Sequence, residues 1–401
     1  MAKAIIFLAD GMADEPLAEL NNLTPVEYLD TPAMDYIAEH GVNGTFLTLP
    51  EGLPTSSDVA NMSVLGFYPE ENYPGRGPIE AASQGIELAP DDVAWRCNLV
   101  KASSDDILLD YSAGHIENSV STPIMKLLQE KFGNDKVSFY PGVSYRNLMV
   151  LHGKEFSNHV HYEKPDSSQG EAIKDLLWKP TDSSPEAAHT VEFLLDLFKR
   201  THEWLKNECP VKSEATHIWP WSPGYLPKMA SFQQRYNGKT GAIISAVDVI
   251  RGLGKCAGMD VYEVEGATGF IDTNYAGKVA AALEAIKTHD LVYVHVEAID
   301  ECSHLGDLKL KMQAISDFDS KIVAPILAAL KGQDVNFALL PDHPVPIKLR
   351  KHTTTPVPLA VMGPAFTPDA VKKYGESSAL KGDLGFLHGD ELVRLLLGLN
   401  K

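Results

Sequence analysis

Three short stretches concentrate the side chains that bind metals and activate oxygen. In Asp300-Glu-Cys-Ser-His304 a carboxylate and an imidazole stand four residues apart, so one helical turn would place both on one face. In Pro341-Asp342-His343-Pro344 the two donor types are adjacent, and His352 follows ten residues after Asp342. Asp10, in Asp10-Gly11-Met12, adds a third carboxylate near the start of the chain. Mixed carboxylate and imidazole donors suit Zn²⁺ or Mn²⁺ rather than Ca²⁺. Six such donors and a serine oxygen are enough for two ions, and two ions ~3.5–4 Å apart form the usual clamp for in-line displacement at phosphorus. Taken singly, each residue has a plain structural explanation: a turn Asp before Gly, a solvated loop carboxylate, a core histidine. Their joint placement after buried strands is what points to chemistry.

The serine oxygen comes from Leu53-Pro-Thr-Ser-Ser57-Asp-Val-Ala-Asn-Met-Ser-Val-Leu-Gly66. Apolar residues at helical spacing, Val59, Met62 and Leu65, follow a run of hydroxyls, and Gly66 marks the stop. A hydroxyl at a helix start sits among outward-pointing N–H groups, where a phosphate can bind. Ser56 or Ser57 could equally be an ordinary N-cap. Beside a metal, however, a hydroxyl loses its proton more readily and becomes a nucleophile. Ser57 could then accept a phosphoryl group and hold it.

Alternating strands and helices must carry these loops. Lys3–Ala9 is a short apolar run of the kind buried on both faces of a parallel sheet. From Gly241 onward strands are expected at 242–245, 261–264, 291–296, 336–340 and 357–362. Helices are expected between them at 247–253, 275–287 and 308–330, with a last one at 390–397. Another helix is expected over 24–39. This pattern makes an α/β fold, a mostly parallel sheet with helices on both faces. Residues 86–217 differ in texture, with strands near 94–100, 107–109, 137–140 and 143–151 and helices over 122–132 and 190–205. They read as a smaller α/β domain inserted into the first, so that 1–85 and 218–401 form the metal-binding part and 86–217 the insertion.

The formal net charge of -19 argues against nucleic acid or an anionic membrane as partner, and suits divalent cations. The apolar run at the N-terminus is too short for a signal core, and no run approaches a membrane span. The four cysteines are scattered without paired spacing, as in a reduced cytoplasmic protein.

Asp10-Gly-Met, Ser57-Asp-Val-Ala-Asn, Asp300-Glu-Cys-Ser-His304, Asp342-His343 and His352-Thr-Thr-Thr-Pro-Val-Pro together resemble the archaeal-type, cofactor-independent phosphoglycerate mutases of the alkaline phosphatase superfamily. Gly75-Arg-Gly-Pro, Arg96-Cys-Asn98 and Thr268–Asn274 extend the resemblance over nearly the whole chain. It implies two divalent ions (Mn, Zn, Mg or Co), no 2,3-bisphosphoglycerate, and movement of phosphate between the 3- and 2-positions of glycerate through a phosphoserine. It implies Ser57 as nucleophile. It further implies Asp10, Ser57, Asp342 and His343 at one metal and Asp300, His304 and His352 at the other. Arg76, Arg96, Asn98, Ser112, His115 and Arg146 are the candidates for gripping the phosphate or carboxylate of a small anionic substrate. The protein would act in the cytoplasm, as a monomer or homo-oligomer.

Asp110-Tyr-Ser-Ala-Gly-His-Ile116 departs from the archaeal pattern, which more often carries arginines there. Such variants resemble a bacterial branch proposed to act as a homoserine kinase. The readings are therefore a 3-/2-phosphoglycerate mutase, a phosphotransferase on another small acid, a metal-dependent phosphohydrolase, and a catalytically silent metal-binding scaffold. A lid that excludes water from a phosphoserine favours transfer over hydrolysis.

Overall fold

The computed structural model describes residues 3–399, and these fall into two compact units. The first runs to Tyr73 and resumes at Met229; the second spans Pro74–Lys228. The second unit thus begins earlier and ends later than the expected 86–217. Helix Arg76–Ser83 packs on strand Val93–Ala102 so closely that a Cβ on Gly77 would lie 2.1 Å from the Ala94 carbonyl oxygen. The aromatic run His217–Gly224 pairs with the same strand.

In the first unit eight strands form one sheet: β1 (Lys3–Ala9), β2 (Val42–Leu47), β3 (Gly241–Ile244), β4 (Asp260–Tyr262), β5 (Leu291–Val296), β6 (Val335–Leu340), β7 (Val357–Met362) and β8 (Gly385–His388). Their spatial order is β4-β3-β5-β1-β6-β7-β2-β8. Only β7 runs against the others, which makes the sheet mostly parallel as expected. The central strands are buried on both faces, which is why they read as continuous apolar runs. Parallel neighbours end together, so the loops after β5, β1 and β6 emerge side by side at one edge. The antiparallel β7 begins at that same edge, which brings the loop before it, with His352, to the same place.

Local signals account for the boundaries. The helix expected over 24–39 is two helices, Pro25–Tyr28 and Pro32–Glu39, because Pro32 holds Thr31 out of helical geometry. Thr24 and Glu27 form a reciprocal capping box at the first. The long helix expected from 308 passes through a π-helical turn at Asp319–Val323. There the Asp319 carboxylate accepts from the Ala33 and Met34 amides, satisfying the start of helix Pro32–Glu39. Strands β2 and β8 were not expected from the sequence.

The second unit has an antiparallel five-stranded sheet centred on Val93–Ala102, with long helices Asn118–Phe132 and Pro185–Asn207. Its core gathers Trp95, Phe139, Met149 and Trp204. Val143–Leu151 is broken by a turn at Ser144 (φ 58°) into strands Val137–Val143 and Arg146–Leu151. All four cysteines are free thiols, and among the described residues no helix is long and apolar enough to cross a membrane.

Candidate active site

The six metal-ligand candidates gather in two trios at the loop edge of the large sheet. Asp10, Asp342 and His343 form one, and Asp300, His304 and His352 the other. Asp10 leaves the tip of β1, and Asp342 and His343 leave β6. Asp300 and His304 lie one turn apart on helix α1 (Ala298–Leu305) after β5. Gly11 lets these loops meet: its φ is +67°, and a Cβ there would lie 2.7 Å from Asp300 Oδ1. Its amide donates to Asp342 Oδ1 at 3.1 Å.

Ser57 opens helix Ser57–Val64, and its Oγ lies 3.0 Å from His343 Nε2. Ser56 holds the N-cap position, yet neither hydroxyl makes a side-chain cap bond. Ser57 therefore points into the cluster and not back onto its own helix. Asn61, one turn on, donates to the Ser57 carbonyl at 2.7 Å and to Asp342 Oδ2 at 2.8 Å. Its Oδ1 accepts from the Tyr293 hydroxyl at 2.5 Å.

Electrostatics favour a cation at the first trio and an internal ion pair at the second. Burial pushes Asp10 well above the usual carboxylate range, and repulsion from Asp342 and Asp300 adds to it. Burial likewise lifts Asp342 to about 6. In the second trio burial opposes ionisation of both partners but is outweighed by their mutual attraction. His304 rises to about 9 and Asp300 falls to about 2. Burial lowers His343 and His352 to about 4, so both rings are neutral at pH 7 and can ligate.

The donor geometry fits ions too. Asp10 Oδ1 and Asp300 Oδ1 are buried without a hydrogen bond. Each faces an imidazole Nε2, of His343 and His352 respectively, at 3.5 Å. Two ligands each ~2.1 Å from a tetrahedral ion stand about 3.4 Å apart. His304 Nδ1 lies 2.9 Å from the Arg350 carbonyl and donates to it, which leaves Nε2 unprotonated in the neutral ring.

The six substrate-grip candidates all fall in the second unit, Arg76, Arg96 and Asn98 against Trp221 and Arg146 and His115 against Tyr145. Arg76 and Arg96 both bond Glu80 Oε1, at 3.1 and 2.6 Å. Their guanidiniums lie 5.8 and 5.2 Å from the Trp221 ring. Burial and the charges of Arg76 and Arg146 bring Arg96 down to about 10, so three cations share this neighbourhood. Arg146 lies over Tyr145, and His115 sits edge-on to that ring in an exposed αL turn. Asn98 is committed at both ends, accepting from Trp221 Nε1 and donating to the Tyr111 carbonyl. Ser112 is fully buried; its hydroxyl donates to Asp110 and accepts from the His115 amide. These two side chains brace the cluster through bonds within it.

Sequence reasoning passed over Asn61, Tyr293, His295 and Glu80. Tyr293 and His295 were visible as polar intrusions at alternate positions of an otherwise apolar strand, where the pleat puts both on one face.

The family model for 2,3-bisphosphoglycerate-independent phosphoglycerate mutase matches residues 38–210. A protein of that name from Methanosarcina acetivorans is 46% identical over 98% of this chain and 99% of its own length. Another from Methanothermobacter thermautotrophicus is 42% identical, covering 98% and 97%. Among solved structures, a Pyrococcus horikoshii protein superposes with TM-score 0.82 at 27% identity, covering 99% of this chain and 97% of that one. The cofactor-independent phosphoglycerate mutase of Thermoplasma acidophilum gives 0.66 at 25%, covering 99% of both.

Proposed function

The chain belongs to the family of 2,3-bisphosphoglycerate-independent phosphoglycerate mutases, and from that membership we propose how its residues interconvert 3- and 2-phosphoglycerate. The observation that carries the reading is Ser57 Oγ set 3.0 Å from His343, at a helix start and beside the two trios of metal-ligand candidates. Asp10, Ser57, Asp342 and His343 would hold one divalent ion, and Asp300, His304 and His352 the other. Such ions would lower the Ser57 pKa and neutralise the phosphoryl oxygens.

Ser57 Oγ attacks the substrate phosphorus as its proton leaves. The Oγ–P bond forms, the bond from phosphorus to the glycerate oxygen breaks, and that oxygen takes up a proton. Glycerate turns within the site. Its other hydroxyl then attacks the phosphoserine, and Ser57 leaves and regains its proton. The helix N-terminus and the Asn61 bond to the Ser57 carbonyl keep the nucleophile in place through both transfers. Arg76, Arg96 and Arg146 are the proposed grip on the substrate anion, with His115 beside them; Asn98 and Ser112 support that grip from behind. The reaction runs in the cytoplasm, in glycolysis and gluconeogenesis, with Mn²⁺ or Zn²⁺ suited to the mixed carboxylate and imidazole donors.

The full-length relatives named above are mutases, which favours this reaction over a homoserine kinase or a phosphohydrolase. The test is a coupled enolase assay with 3-phosphoglycerate and Mn²⁺. Wild type should form 2-phosphoglycerate, and Ser57→Ala should form none while its metal content is unchanged. Turnover by that variant would refute the serine mechanism. Phosphate passing from ATP to homoserine, with no 2-phosphoglycerate formed, would refute the mutase.

A further inference from the structure

We propose that His295 is a positioning residue of this site, binding Asp10 Oδ2 so that Oδ1 alone is turned toward His343 and a cation between them. The inference rests on the metal-binding reading above. His295 is fully buried one residue from the C-terminal end of the site's supporting strand, β5. Its Nε2 lies 3.0 Å from Asp10 Oδ2, and its Nδ1 lies 3.1 Å from Ser245 Oγ.

The Asp10 carboxylate decides which ring nitrogen carries the proton, because an ionised Oδ2 only accepts. With Nε2 protonated, Nδ1 accepts from the Ser245 hydroxyl, whose oxygen is itself held by the Val247 amide at 3.0 Å. The ring proton is then on Nε2 and is donated to Asp10. Three links thus fix tautomer, ring plane and carboxylate orientation. The parallel pairing of Leu8 with His295 and of Ala9 with Val296 holds the two strands in the register this contact needs.

The same strand serves the other carboxylate of the trio. Tyr293, two residues earlier and on the same face, reaches Asp342 Oδ2 through Asn61. Asp342 Oδ1 accepts from the Gly11 and His343 amides. Strand β5 therefore presents α1, with Asp300 and His304, at its tip and orients Asp10 and Asp342 from its interior. Both trios are referenced to one rigid element, the arrangement in which a supporting shell sets ligand geometry.

The experiment titrates Mn²⁺ into chelator-stripped full-length protein by calorimetry, with wild type, His295→Phe, His295→Gln and Ser245→Ala. Wild type should bind two ions. The Phe variant should bind one of them about 10–100-fold more weakly and lose kcat in proportion, with KM for 3-phosphoglycerate unchanged. Gln, whose amide nitrogen can take the place of Nε2, should restore most of the affinity, and Ser245→Ala should fall between. Equal binding by wild type and the Phe variant would overturn the inference alone, as would a Gln variant no better than Phe. No binding by wild type would overturn the metal reading as well. Should the Phe variant not fold, ¹⁵N-histidine NMR of the wild-type protein decides the matter: an Nδ1-protonated His295 refutes the proposal, and an Nε2-protonated ring supports it.

Discussion

The Nε2 atoms of His304 and His352, 48 residues apart in sequence, face each other at 2.9 Å. With His304 Nδ1 turned to the Arg350 carbonyl, the space between these nitrogens suits a shared cation. His352→Ala should therefore abolish binding of one Mn²⁺ and leave the ion at Asp10, Asp342 and His343. Calorimetric stoichiometry falling from two to one is the expected result; a value still at two would remove His352 from the ligand set.

The same pair predicts a pH dependence. In the metal-free chain His304 titrates near 9 instead of its ordinary 6.5, so the folded state holds a proton that the unfolded chain has released. That contribution to stability is fully present below pH 6.5 and is lost as pH rises through about 9. Asp300, held down to about 2, contributes above its ordinary 3.8 and loses that contribution only as pH falls through about 2. Chelator-treated protein should accordingly show a lower Tm at pH 9.5 than at pH 7, and His304→Gln should flatten the difference. With Mn²⁺ present the trend should weaken, because ion and proton compete for one nitrogen.

Asn61 ties three groups together, so Asn61→Leu should affect both stability and rate. It strands the Tyr293 hydroxyl and removes a donor from Asp342, and each buried polar group left unpaired costs about 1–3 kcal/mol. Denaturant unfolding should show that loss. The coupled assay should show kcat falling more than KM rises, because the Ser57 carbonyl has lost its anchor.

Glu80 holds Arg76 and Arg96 together, and the Arg96–Glu80 pair is buried on both sides. Glu80→Ala leaves uncompensated buried charge, for which about 3–5 kcal/mol is typical. In the folded fraction the guanidiniums lose their common anchor, so KM for 3-phosphoglycerate should rise while Mn²⁺ affinity stays constant. An unchanged KM would remove this cluster from substrate binding.

Lys311 and Asp14 form an ion pair with no solvent exposure on either side chain, at 2.7 Å. Asp14 also accepts from the Ile347 amide, tying the loop after β1 to the loop after β6. Lys311→Met should lower stability by about 3–5 kcal/mol in denaturant unfolding, since Asp14 stays buried without its countercharge. The double variant with Asp14→Leu should recover much of it.

Much of this was readable along the chain. Apolar runs such as Lys3–Ala9 and Leu291–Val296 matched strands β1 and β5 residue for residue, because a strand buried on both faces needs an unbroken apolar stretch. The last two strands on one side of the sheet, β2 and β8, were not readable. Gly385–His388 is exposed at most positions, so no burial pattern marks it.

Residue types and spacing alone showed which side chains could ligate a cation, that a run of hydroxyls precedes a helix, and which runs must be buried. Each of those follows from local composition and spacing. The motif resemblance already implied the two donor sets; folding in three dimensions settled that Ser57 faces His343 instead of capping its helix, and that His295 and Asn61 orient the carboxylates. Those outcomes depend on strand order and register, which join residues nearly 300 positions apart such as Ser57 and His343, separated by 286. Side-chain periodicity shows that a strand is buried but not which strand lies beside it.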